Sequence, residues 1–201
     1  LGDIVINPYA YQTERSYEPI TVQDLTAMAG KPRSIDASIE LARLSLAGTQ
    51  NKCGLFHDPK APLGDGWYQP VGGAPSNYII KFAREDLHDL MIVEHLSLTC
   101  AAACGVPSAK TALLNPSRPI ICVERYDRLG SASEVINGQV APLRQHQEDI
   151  TQAFGIMPEA KYRQLEPNTV TVLADFFRNS SANPAQDITN LTRLLLFNYL
   201  I

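Results

Sequence analysis

The sequence predicts an α+β fold in two lobes, a small antiparallel sheet carrying one helix, followed by a helical region. Three observations lead there. Short runs rich in β-branched and aromatic residues, such as NYIIKF at 77–82, are punctuated by glycine and proline. One long helical pattern, REDLHDLMIVEHLSLTCAAACG, interrupts them. After about residue 144 the remaining patterns are helical.

Residues 1–40 mix short extended signals, such as Ile4 to Ile6, with polar and proline clusters. Within them Thr21, Asp24, Leu25 and Met28 predict a short capped helix. A hairpin follows: a strand from Leu41 to about Leu46, a loop of small and polar residues, and a strand near Cys53 to Phe56. Residues 58–76 hold four prolines and four glycines and read as loop, with Trp67 and Tyr68 forming at most a brief strand. Asn77 to Phe82 is the next strand. The helix then runs from about Asp86 to a stop at Gly105, with Pro107 beyond it. Ala109 to Leu114 and Pro119 to Val123 read as two further strands. Three helices complete the chain: RQHQEDITQAFG closing at Gly155, TVTVLADFFRNS with its apolar stripe, and DITNLTRLLLFNYLI with Asp187 as N-cap. The cleft between two such lobes is the default place for a site.

Composition narrows the function classes. The 201 residues are 45% hydrophobic and 19% charged, enough for a sizeable core. With 17 Lys and Arg against 21 Asp and Glu, the formal charge of −4 gives no bulk basicity for nucleic acid and no polybasic run for a membrane surface. No signal peptide and no run of 18 apolar residues is visible. The four cysteines, Cys53, Cys100, Cys104 and Cys122, lack the spacing of a secreted disulfide scaffold, so a reducing cytoplasm is expected. Cys100 and Cys104 stand at a spacing that could share a metal, but packing as small apolar residues is the expected role of all four. The four histidines, His57, His88, His95 and His146, read as solvated or capping. Leu1 at the start, and an apolar helix running out at Leu200 and Ile201, predict a piece of a longer protein.

Glu94 is the sharpest chemical clue. On the long helix Leu87, Leu90, Met91, Leu98 and Ala101 form the expected buried stripe, and Glu94 falls within it. A carboxylate left unpaired there would cost several kcal/mol of desolvation, so it needs a cation. Lys81, between Ile80 and Phe82 on the preceding strand, is the nearest candidate; a slightly rotated helix would instead take Glu94 to water. A strand lysine held by a helix glutamate is the way protein kinases aim an ammonium at nucleotide phosphates. In LSLAGTQNK, Leu44 to Lys52, Ala47 and Gly48 would let backbone N–H groups approach anionic oxygens. That stretch matches neither GxxxxGK[ST] nor GxGxxG, and a plain hairpin turn explains one glycine equally well.

Taken together, LSLAGTQNK, SNYIIK, VERYDR and HQEDITQAFG…KY, in that order and spacing, closely resemble the HipA toxin kinases of bacterial toxin–antitoxin modules, from about Leu41 to Ile201. The resemblance implies a protein-kinase-like fold: residues 1–40 connecting from a further N-terminal subdomain, 41–128 an ATP-binding N-lobe and hinge, and 129–201 the start of a helical C-lobe. It implies that Ser45 is the autophosphorylated serine ahead of the phosphate loop, although a hairpin hydrogen bond would explain that serine as well. Leu46, Ala47, Gly48, Thr49, Gln50 and Lys52 would belong to the loop, Lys81 would bind phosphate with Glu94 as its partner, and Glu124 and Tyr126 would flank adenine through their backbone, unless they only pack. Glu148 and Asp149 read as partners of a helix N-terminus rather than catalysts.

The same resemblance implies ATP and Mg²⁺ as cofactors, with the catalytic Asp and the metal ligands beyond Ile201, so that no catalytic residue lies in this segment and it transfers no phosphoryl group alone. It further implies a cytoplasmic protein substrate phosphorylated on serine, such as glutamyl-tRNA synthetase, with growth inhibited as the result. The implied partner is a HipB-like DNA-binding antitoxin, DNA being met only through it, and no membrane is involved. Two other readings stay open at this point: a non-catalytic nucleotide-binding or partner-binding module, and an unrelated ATP-using transferase with a similar hairpin.

Overall fold

The computed structural model describes residues 14–29, 52–83, 89–115, 119–130, 134–157 and 168–201. They fall into two compact units, one within Leu1–Thr99 and Ala109–His146, the other within Cys100–Ser108 and Gln147–Ile201.

In the first unit, β1 (Ser16–Ile20) is followed by α1 (Val22–Ala29). The predicted cap of α1 is present: the Thr21 amide and hydroxyl donate to Asp24 Oδ2 at 2.9 and 2.6 Å, and the Asp24 amide donates to Thr21 Oγ1 at 3.1 Å. Then come β2 (Lys52–His57), β3 (Trp67–Val71), β4 (Tyr78–Phe82), α2 (Asp89–Ala103), β5 (Thr111–Leu114) and β6 (Ile120–Glu124). The six strands form one sheet in the order β1-β3-β2-β4-β6-β5, with every pair antiparallel. Strand β1 went unread because Ser16 to Ile20 carries Glu18 and Pro19 and offers little apolar alternation. It finds its place at a sheet edge, where proline is tolerated.

Alternation along the strands sorts the two faces. Cys53 and Leu55 of β2, Ile80 and Phe82 of β4, and Ile120 and Cys122 of β6 pack with Trp67, Leu114 and Leu25 of α1 into the main core. The opposite face carries α2, whose Met91 packs with Ala83 and Ile121. The buried stripe of α2 is narrower than expected: Met91 and Ala101 are buried, whereas Leu90 is exposed. This helix is apolar on nearly all sides, so periodicity does not single out the covered face. Its start before Asp89 lies outside the described residues.

Two short ribbons follow β6: β7 (Arg128–Leu129) pairs with β10 (Leu143–Arg144), and β8 (Val135–Ile136) pairs with β9 (Gln139–Val140). The helix expected from Arg144 is therefore shorter. Only α3 (Ile150–Ala153) forms, opened by a capping box in which Asp149 accepts the Gln152 amide while the Gln152 side chain accepts the Asp149 amide. Asp149 thus serves the helix terminus as expected. In the second unit, α4 (Thr169–Ser180) precedes α5 (Pro184–Leu200). The N-cap of α5 is Asn183 with Pro184 behind it, not Asp187, which lies in the first turn and accepts the Ser181 hydroxyl at 2.5 Å. Among the described residues no helix is long and apolar enough to cross a membrane.

Candidate nucleotide-binding site

The strand registers lay out the α2 face as rows. One row reads Lys52, Lys81, Ile121, Leu113; the next reads Gly54, Ile79, Val123, Thr111. Helix α2 covers the far end of both: Met91 packs on Ile121, and the His95 ring is 2.8 Å from the Thr111 hydroxyl. One turn of α2 brings Glu94 over Lys81, and the lysine Nζ donates to Glu94 Oε1. Both side chains are 22% exposed, so the pair borders solvent while its stems lie in the packing between helix and sheet.

Lys52 stands directly across the ladder from Lys81. The Glu94 carboxylate pairs with Lys81 and also attracts Lys52. Desolvation and the charge of Lys81 lower the Lys52 pKa, with Glu94 opposing. Like charges facing each other across a sheet disfavour the pairing, and a multiply charged anion relieves them. Beside this cationic row, Gly54, Ile79 and Val123 form a mostly apolar strip, with the Ser76 side chain against Gly54 and Val123 packed against the Met91 cluster.

The strip ends at a tightly held turn. The Glu124 amide donates to the Lys110 carbonyl and the Arg125 amide to the Asn77 carbonyl, each at 2.9 Å. The Glu124 carbonyl and the Tyr126 amide, the groups expected to meet an adenine edge, belong to this turn. The Tyr126 side chain is 75% exposed. The Glu124 carboxylate lies 3.6 Å from Lys110 on the surface. Backbone, rather than side chain, is what these two positions bring to the strip.

The model of the HipA-like C-terminal domain family matches residues 44–201. The chain belongs to that family. It is 34% identical over 182 residues, 90% of its own length, to a Sinorhizobium fredii protein named "Putative kinase Y4mE". It is 33% identical over 123 residues, 61% of its length, to the serine/threonine-protein kinase toxin HipA of Shewanella oneidensis. The chain spans 40% and 26% of these two relatives respectively. Its fold is similar to a chain of the Shewanella oneidensis toxin–antitoxin complex of HipA, HipB and operator DNA, with a TM-score of 0.54 and 28% identity over 79% of this chain and 34% of that one.

Within this HipA-like segment, the structure brings together Lys52, Lys81 and Glu94 and sets Glu124 and Tyr126 at the end of the same strip. Ser45, Leu46, Ala47, Gly48, Thr49 and Gln50 lie outside the described residues. Among the described residues there is no group of three or more His, Cys, Asp or Glu side chains that could hold a metal ion.

Two expectations need correction. Cys53 and Cys122 are buried, and burial pushes the Cys122 thiol up to about 12, but Cys100 and Cys104 are exposed and do not pack in a core. Cys100 lies in the last turn of α2 and Cys104 just past its end. His57 is neither solvated nor a cap. It is buried, its ring centroid 4.6 Å from that of Trp67, with Nε2 3.3 Å from the Pro62 carbonyl. Its place on β2 faces the main core, which the alternation from Cys53 and Leu55 already signals. His95 likewise engages Thr111 rather than solvent.

Sequence reasoning missed Ser76, Arg125, Asp127 and Arg128. The Asp127 side chain is 3% exposed, and Arg125 grips it with Nε to Oδ1 at 2.9 Å and Nη2 to Oδ2 at 2.7 Å. A signal existed in VERYDR, where an acid stands two residues after one arginine and one before another.

Proposed function

We propose that the protein is a serine/threonine protein kinase of HipA type that transfers a phosphoryl group from ATP, with Mg²⁺, to a serine of a cytoplasmic protein. One observation carries this: the Lys81–Glu94 pair, with Lys52 across the ladder, at the edge of an apolar strip that ends in a hinge-like turn. ATP supplies the transferable phosphoryl group and Mg²⁺ neutralises its oxygens. Lys81 binds and orients phosphate, because Glu94 fixes the direction of its amine. Lys52 adds a second positive charge, and the strip holds the base. Family membership and relatives named as kinases support the reading. The complex of HipA, HipB and operator DNA supports a HipB-like antitoxin as partner, through which DNA is reached. An aminoacyl-tRNA synthetase such as the glutamyl enzyme is the target that the HipA resemblance favours.

The test is phosphoryl transfer by the intact protein. Lys81→Ala is expected to lower transfer by about a hundredfold or more, as loss of a preorganised charge at transferring phosphate does. Glu94→Gln keeps the shape but removes the charge and is expected to cost about tenfold, chiefly in kcat/KM. Lys81→Ala with wild-type transfer would overturn the reading.

A further inference from the structure

We propose that Arg125 and Asp127 act as positioning residues that fix the backbone of Tyr126 and thereby set recognition of the adenine edge. The inference rests on the nucleotide reading above and deepens it.

The geometry is a clamp around one residue. Arg125 and Asp127 flank Tyr126, and their bidentate pair closes over it at 2.9 and 2.7 Å. Each end is tied again. Arg125 donates its amide to the Asn77 carbonyl at 2.9 Å and Nη1 to Ser76 Oγ at 3.2 Å. The Asp127 carbonyl accepts the Gln145 amide at 3.0 Å and Arg128 Nη1 at 2.7 Å, and the same Nη1 lies 2.6 Å from Asp127 Oδ2. Arg128 Nε in turn donates to the Ser76 carbonyl at 2.8 Å. The Arg125, Asp127 and Arg128 side chains are 10%, 3% and 3% exposed, while Tyr126 between them points outward. With both neighbours locked, the Tyr126 amide has little freedom of direction.

Stability is a weak account of this arrangement. Two guanidinium groups share one carboxylate, and burying such a set costs desolvation that its attraction only partly returns. The ion pair itself joins residues only two apart, the links to distant Ser76 being made by the other guanidinium nitrogens. What it does determine is the course of the backbone at the end of the strip. Arg125 continues the face of Ile121 and Val123, beside Gly54 and Ile79. Gly54 fits that packing: a Cβ there would stand 2.8 Å from Ser76 Oγ, the atom that receives Arg125.

The experiment compares two probes on the intact protein by calorimetry: ATP, which engages both hinge and lysines, and inorganic tripolyphosphate, which engages only the lysines. Asp127→Asn is expected to weaken ATP binding about tenfold, the worth of one well-placed hydrogen bond, and to leave tripolyphosphate binding within about twofold. Arg125→Lys, which keeps the charge but loses the fork, is expected to do the same and serves if Asp127→Asn does not fold. Lys81→Ala should weaken both probes. A clamp variant that weakens both probes equally, or neither, overturns the clamp. Wild-type protein that binds neither probe overturns the nucleotide reading itself.

Discussion

Burial pushes the Asp127 carboxyl up, but the hydrogen bonds and charge of Arg125, aided by Arg128, outweigh it and hold the group below its ordinary value. A carboxylate whose pKa is lowered by folding contributes stability that is fully present above the unfolded value, about 3.9, and is lost as pH falls through the native one. Urea midpoints measured from pH 6 downward should therefore drop more steeply below about pH 4 in the wild type than in Asp127→Asn. At neutral pH the same variant should lose about 3 kcal/mol, because two guanidinium groups remain buried without their anion. An equal acid slope in both proteins would contradict this. Residue by residue, the sequence was legible where one charge broke an apolar pattern: Glu94 stood out on its helix, and Lys81 lay on the neighbouring strand. VERYDR was opaque because four of its six residues are charged, and a run of that kind ordinarily lies in water.

At the scale of elements, helix α2 ends in a Schellman motif, with the Val106 amide bonded to the Ala101 carbonyl at 2.9 Å and the Gly105 amide to the Ala102 carbonyl at 3.0 Å. Gly105 has φ +73°, and a Cβ there would meet nothing within 4 Å. Gly105→Ala should thus cost only backbone strain, about 1 kcal/mol. Gly54→Ala meets Ser76 Oγ at 2.8 Å and should disturb the Arg125 network as well. Thermal melts of the two variants test the order, with the Gly54 variant expected to melt lower. The Gly105 stop was legible because glycine followed by Pro107 is a local signal. The β8–β9 ribbon carried one too: VINGQV turns at Asn137 and Gly138, whose φ of 47° and 79° suit a type I′ hairpin. The helix predicted from Arg144 was wrong because tertiary bonds took its first residues, Arg144 reaching the Gly73 carbonyl and the Gln145 amide the Asp127 carbonyl.

Across the whole chain, the two units differ in how much they bury. The first holds Trp67, Phe56, Leu55 and Ile80 at 2% exposure or less, while α3, α4 and α5 contain no fully buried residue. Regions with little buried apolar surface open first. Trp67 is the only tryptophan in the chain and sits in the sheet core, so its fluorescence reports the first unit. In urea, the far-ultraviolet helical signal should fall before the Trp67 emission shifts; coincident curves would contradict this. Element types were legible because periodicity is local. The strand order β1-β3-β2-β4-β6-β5 was not, since it depends on pairings between residues far apart, as between Ser16 and Val71.

That order is also what makes neighbours of Lys52 and Lys81. Two ammonium groups facing each other strain the ladder they sit on, and Glu94 attracts both. Any polyanion that settles between them becomes a mortar for the sheet as well as its cargo, and proteases meet a tougher target while it stays.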